Sequence, residues 1–122
     1  MPRTVLDEAR IHPAIRDKVA KLHADLLAEV RAAIDANAVL VVGMRGNPHC
    51  ARARKALQAA GAAFKYLEYG SYLSQWRLRN ALKMWTGWPT FPMVFVKGTL
   101  VGGADNLQAL IASGELNRLL AT

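Results

Sequence analysis

The sequence predicts an α/β domain, a mixed sheet with helices on both faces, on three observations. An apolar, β-branched run, Val39-Leu40-Val41-Val42, is bounded by Gly43 and Gly46 and reads as a buried strand. Asn47-Pro48 opens a helix directly after it, and an alternating, aromatic-bearing stretch at 63–69 forms a second strand. Strand, helix and strand make a βαβ unit, parallel and right-handed by default. Residues 93–96 and 100–101 then flank Lys97-Gly98-Thr99 as an antiparallel hairpin.

Taken in order, residues 13–36 read as one long helix. Ile15, Val19, Leu22, Leu26, Val30 and Ile34 recur at spacings of three and four, so they share a face. Pro13 suits a first turn and Asn37 a helix end. At 1.5 Å per residue such a helix is about 35 Å long, as long as a small domain is wide. Its first half is therefore expected to overhang, to pack along the surface, or to meet a second subunit. His12 and His23 have no Cys or His at ligand spacing and read as surface residues. After the strand at 39–44, a helix over 48–60 stops at Gly61. A helix over 74–86 turns Leu78, Leu82 and Trp85 inward, and short helices at 104–112 and 115–121 close the chain around Ser113-Gly114. The order α-β-α-β-α-β-β-α is that of a thioredoxin-like domain, a four-stranded mixed sheet flanked by helices.

A chain of 122 residues, 52% hydrophobic and 20% charged, has the size and composition of one soluble globular domain. No apolar run approaches the roughly 20 residues that span a bilayer. The first residues lack the apolar core of a signal peptide, so a cytoplasmic location is expected. A single cysteine excludes an internal disulfide. The net charge of +7 arises after residue 37, where ten basic groups face only Glu68, Asp105 and Glu115. Such an excess serves solubility or an anionic partner. No RNP-type, zinc-finger or helix-turn-helix signature points to nucleic acid, and no membrane partner is expected.

Three segments carry candidate chemistry. Cys50 falls in the first turn of the helix opened by Asn47-Pro48, where the backbone partial charge favours a thiolate; a buried core thiol is the plainer alternative. Trp88-Pro89-Thr90-Phe91-Pro92 leads into the third strand, with proline placed as in a cis peptide. The backbone of Thr90 could pair there with an extended peptide, or the segment could be only a stiff turn. Val101-Gly102-Gly103-Ala104-Asp105 opens a helix whose free N–H groups suit a carboxylate; Asp105 could meet an ammonium or simply cap. Arg79 and Lys83, four apart, share a helix face and with Arg45 form a basic rim or ordinary solvated charge.

Together, Arg79 through Trp88-Pro89-Thr90-Phe91-Pro92, Val101-Gly102-Gly103 with Asp105, and the closing Gly114-Glu115-Leu116 resemble the glutaredoxins. The likeness is nearest to the monothiol class and runs from about residue 30 to 120. It implies the thioredoxin-like glutaredoxin fold over residues 26–122, preceded by a helical extension over 1–25. It also implies a groove for glutathione or a glutathionylated protein. By that resemblance Thr90 and Pro92 hold the tripeptide backbone, and Gly103 and Asp105 its γ-glutamyl end. Arg45 and Lys83 would hold the glycyl carboxylate, assisted by Arg79.

The departures bear on activity. Asn47-Pro48-His49-Cys50 stands where the family carries Cys-Pro-Tyr-Cys or Cys-Gly-Phe-Ser, so Asn47 replaces the attacking cysteine and Cys50 takes the resolving position. An amide cannot attack a disulfide. A glutathione-dependent thiol–disulfide or iron–sulfur-associated role would then run weakly through Cys50. His49 could tune the thiol, but adjacent helical residues do not face each other. Ala104 replaces the usual cysteine, and the 70–74 connection is about three residues longer than usual. Monothiol relatives hold a [2Fe–2S] cluster between two subunits; with one thiol at a shifted position, the usual cluster geometry is not expected here. The alternative function is a non-catalytic module that binds glutathione or a peptide and dimerises through the long N-terminal helix.

Overall fold

A computed structural model describes residues 3–121. Two helices, α1 (Pro13–Lys21) and α2 (Ala24–Ala36), precede β1 (Val39–Gly43), α3 (Pro48–Ala59) and β2 (Lys65–Glu68). Then come α4 (Trp76–Thr86), β3 (Met93–Val96), β4 (Thr99–Gly102), α5 (Ala104–Ala112) and α6 (Glu115–Leu120). The sheet order is β2-β1-β3-β4. β1 runs parallel to β2 and antiparallel to β3, with Val41 opposite both Tyr66 and Val94, and β3 and β4 form the hairpin. This is the thioredoxin-like arrangement that the element order predicts.

β1 is central and buried along its whole length, which is why it reads as an unbroken apolar run rather than an alternation. Successive side chains enter opposite layers. Leu40 and Val42 join Leu26, Val30, Leu82, Met93 and Phe95 under α2 and α4. Val39 and Val41 join Leu57, Val94, Leu107 and Leu116 under α3, α5 and α6.

The single helix expected over 13–36 is instead two. Leu22 closes α1 through its N–H to the Val19 carbonyl, and His23 sits in the left-handed region at φ 53°. The apolar spacing persists across the break, so periodicity alone conceals it. Neither Gly nor Pro marks the spot. Leu26 and Val30 of α2 are buried, whereas Ile15, Val19 and Leu22 stay about half exposed. His12 is not a bystander: its Nδ1 caps α1 by accepting from the Ala14 N–H at 3.0 Å. The arm before α1 is fastened by Arg3, which donates to the Trp85 carbonyl at 3.1 Å.

Two further boundaries differ from expectation. The hairpin turn contains Lys97 and Gly98 alone, both at positive φ, so Thr99 already belongs to β4 opposite Val96. Paired positive φ values match the right-handed strand twist. α4 begins at Trp76, because Gln75 is left-handed at φ 54° and turns the chain into the helix.

Gly102 joins β4 to α5 at φ 119°, and a Cβ there would lie 2.6 Å from Asn106 Cγ. Gly102→Ala should therefore cost about 1–3 kcal/mol, read as a lower urea midpoint with an unchanged slope. An unaltered midpoint would mean this corner yields without strain.

Candidate functional site

Two stretches far apart in sequence meet at one end of the sheet. Thr86 Oγ1 accepts from the Trp88 N–H at 3.1 Å and itself donates to the Leu82 carbonyl, anchoring the corner after α4. The Phe91–Pro92 peptide is cis and leads into β3. Facing it, Gly103 starts α5, with its N–H held by Asn106 Oδ1 at 3.1 Å. A Cβ on Gly103 would lie 3.4 Å from the Pro92 carbonyl and 3.6 Å from Trp88 Nε1. The two segments lie within van der Waals reach of each other there. Between these segments lies a cleft of about 210 Å³, lined by Thr90, Phe91, Pro92, Gly103, Ala104 and Asp105. His49, Arg52, Trp88 and Asn106 complete its wall.

Four of the seven residues expected at a ligand groove thus share one cleft: Thr90, Pro92, Gly103 and Asp105. The basic residues are placed differently. Arg45 lies exposed in the β1–α3 turn, with Nε 3.6 Å from Glu68. Lys83 reaches Phe91, its ammonium 5.8 Å from the ring centroid, and so borders the cleft indirectly. Arg79 is buried, and its Nη1 donates to the carbonyls of Tyr69 and Ser74 at 3.0 and 2.5 Å. It fastens the 69–75 connection, the segment whose extra length the sequence shows.

Arg52 is the residue that sequence reasoning missed. Its Nη1 donates to Asp105 Oδ1 at 2.6 Å and to Gln108 Oε1 at 3.1 Å, and its Nη2 lies 2.8 Å from His49 Nδ1. The guanidinium holds the exposed Asp105 carboxyl below its ordinary range, first by this hydrogen bond and then by charge. The spacing of His49 and Arg52, three apart on one helix, was available beforehand. Their link to Asp105 was not, because it spans 53 positions. Trp88 was quoted only as part of a motif, yet its buried Nε1 has no partner among the described residues and borders the cleft.

At the head of α3, Asn47 Oδ1 accepts from the N–H groups of His49 and Cys50 at 2.8 and 3.2 Å. Pro48 occupies the first helical position, so the start is capped as Asn-Pro predicts. Cys50 is fully buried. Its Sγ would lie 2.9 Å from a Cβ on Gly43, and the Tyr66 hydroxyl 2.7 Å from the same point. Desolvation pushes the thiol pKa up; the Met44 N–H, the Arg54 charge and the Tyr66 hydroxyl oppose it without prevailing. Burial likewise pushes Tyr66 up to about 12. The helix-start charge that favours a thiolate is therefore outweighed by loss of water.

The glutaredoxin family model matches residues 39–101, which include β1, α3, the Trp-Pro corner and the hairpin. The chain belongs to the glutaredoxin family. A glutaredoxin-like protein of Dictyostelium discoideum is 47% identical over 102 residues, covering 84% of this chain and 83% of that protein. A probable monothiol glutaredoxin of Legionella pneumophila is 37% identical over 76 residues, covering 60% of this chain and 82% of the relative. Among solved structures, a buckwheat glutaredoxin–glutathione complex superposes with a TM-score of 0.73 at 25% identity, covering 83% of this chain and 92% of that one. Oxidised glutaredoxin 2 of Chlamydomonas reinhardtii gives 0.68 at 29%, covering 80% and 92%. The family expectation from the motifs and the expected fold are both borne out.

The burial of Cys50 and Tyr66 has a direct consequence for stability against pH. Below about pH 9 the thiol is protonated whether the chain is folded or not. Above it, the unfolded chain gains by ionising and the folded chain does not, so stability is lost as pH rises. The urea midpoint should fall from about pH 9 upward, and Cys50→Ala should remove the early part of that fall. In the same range a thiol reagent should label native protein slowly and urea-unfolded protein at once. Rapid native labelling would mean the thiol is accessible.

Proposed function

We propose that this member of the glutaredoxin family binds glutathione in the Thr90–Asp105 cleft and serves as a glutathione-binding module, not as an efficient thiol–disulfide exchanger. The observation that carries the second half is the state of α3: an amide stands at the helix cap, and the chain's one thiol is sealed beneath Gly43 and Tyr66. Disulfide exchange needs a thiolate that reaches its target. Cys50 meets neither requirement.

Support for the first half comes from complementarity. Thr90 is exposed and Pro92 buried in the stretch before β3, where an extended peptide can run alongside the Thr90 backbone. Opposite them the start of α5 supplies free N–H groups, and Asp105 supplies a negative charge. Those are the groups that a tripeptide with two carboxylates and one ammonium requires. The buckwheat relative is a glutathione complex with the same fold. Lys83, whose ammonium lies 5.8 Å from the Phe91 ring at the cleft, is the group assigned on this reading to the glycyl carboxylate. Arg79 is spent on the 69–75 carbonyls, and its part in this reading is support of that connection.

A [2Fe–2S] cluster does not fit the donors of this chain. Cluster iron takes several Cys thiolates, whereas this chain has one thiol, whose burial favours its neutral form. Glutathione is held, on this proposal, as a ligand in its own right.

Amide-resolved NMR titration with reduced glutathione should move the signals of Thr90, Gly103 and Asp105 and leave those of α6 unmoved. Incubation with oxidised glutathione should leave no mixed disulfide by mass spectrometry. Asn47→Cys places a thiol at the helix cap beside the occupied cleft, and it should create glutathione-dependent disulfide exchange from a near-zero background. No shifts at millimolar glutathione would overturn the binding reading, and an adduct on native Cys50 would overturn the non-catalytic one.

A further inference from the structure

We infer that α1 and the arm before it form the interface between two copies of this chain. Among the described residues α1 is the one α-helix that buries no side chain; each of the other five buries at least one. It still has an apolar side. Ile15 and Val19 lie one turn apart and Leu22 follows at the cap, all about half exposed, while Val5 and Leu6 of the arm are more exposed still. Five of the nine large hydrophobics left exposed among the described residues thus fall between positions 5 and 22. Arm and helix are tied into one surface by Arg16. Its Nε donates to the Ile11 carbonyl at 2.7 Å and its Nη2 to the Ala9 carbonyl at 3.4 Å, joining the turn at Glu8–Arg10 to α1.

Length says that this face needs cover. α1 has nine residues, and helices shorter than about 12–15 residues are marginal in water unless an apolar face is packed. The described chain does not pack it: Ile15, Val19 and Leu22 belong to neither apolar layer of the core. A second molecule is the remaining source of cover.

Charge selects another copy as that molecule. Residues 1–37 hold six basic and six acidic groups, so the whole net charge of +7 lies in the rest of the chain. Two copies therefore meet with least repulsion through their N-terminal segments. Both signs are exposed there, Asp7 and Glu8 on the arm and Lys18 and Lys21 on α1. The ion pairs among the described residues, Arg45–Glu68 and Arg52–Asp105, lie elsewhere. An apolar strip flanked by both signs is complementary to itself, as a two-fold interface must be. An anionic bilayer or a nucleic acid would be drawn to the basic remainder instead. No residue of the arm or of α1 lines the Thr90–Asp105 cleft, so each copy keeps its own, and the pairing needs neither glutathione nor iron.

Sedimentation equilibrium on the full chain, without glutathione and with a metal chelator present, should give twice the chain mass at tens of micromolar. Val19→Glu puts a charge in the middle of the strip while keeping a good helix former, and it should weaken association by about thirtyfold or more. Two charge variants test self-complementarity. Lys18→Glu with Lys21→Glu should weaken pairing, and so should Asp7→Asn with Glu8→Lys, in which asparagine keeps the cap. An equimolar mixture of these two proteins should pair as tightly as wild type. A wild type that stays monomeric at millimolar concentration overturns the inference. So does a dimer that Val19→Glu leaves intact, because its interface is then another face, and so does a mixture that fails to recover pairing. If circular dichroism shows that Val19→Glu melts α1, Val19→Ala serves; it keeps the helix and should weaken the dimer by about tenfold.

Discussion

The amide of Asn47 at the head of α3 is the interaction on which the character of this protein depends. It satisfies two N–H groups that would otherwise point at solvent or at a sulfur anion. The cap fixes where α3 starts after β1, with Pro48 in the first helical position. One turn on, Cys50 is drawn into the layer beneath Gly43 and Tyr66, where size and hydrophobicity matter and acidity does not.

Four arginines are committed to four different sets of partners. Arg45, in the β1–α3 turn, lies 3.6 Å from Glu68, and Arg54 lies over the Tyr66 ring at 4.4 Å, walling in the thiol. Arg79 holds backbone carbonyls inside the long connection. Only Arg52 reaches the cleft between the Trp-Pro corner and α5. Net positive charge alone would not distinguish these roles. The partner atoms do: the Arg79 guanidinium is buried against backbone carbonyls, whereas Arg52 lies in the cleft wall.

How much of this was legible in the sequence follows from range. β1, β3 and the βαβ unit were readable because a strand buried on both faces is an unbroken apolar run. The α3 start was readable because Asn-Pro is a local cap. The groove emerged from motifs, each compact in sequence, and four of its expected residues do converge. What stayed hidden is non-local or unpunctuated. The break at Leu22–His23 leaves the apolar spacing intact and uses a histidine in a conformation that glycine usually fills. The burial of Arg79 depends on which carbonyls a loop turns inward. The Arg52–Asp105 contact joins two helices and has no signature in either. For Cys50, local sequence shows the helix dipole but not the hydroxyphenyl ring of β2 that closes over the sulfur, so acidity and burial could be weighed only in three dimensions.

The closure over Cys50 also bears on how the molecule ages. Peroxides attack sulfur in its ionised, accessible form and carry it through sulfenic towards irreversible sulfinic and sulfonic acids. Here the chain's one cysteine is shut away and neutral. Closed away from solvent, Cys50 enters that sequence more slowly than an exposed cysteine would, and it stays a thiol for longer under the same oxidant.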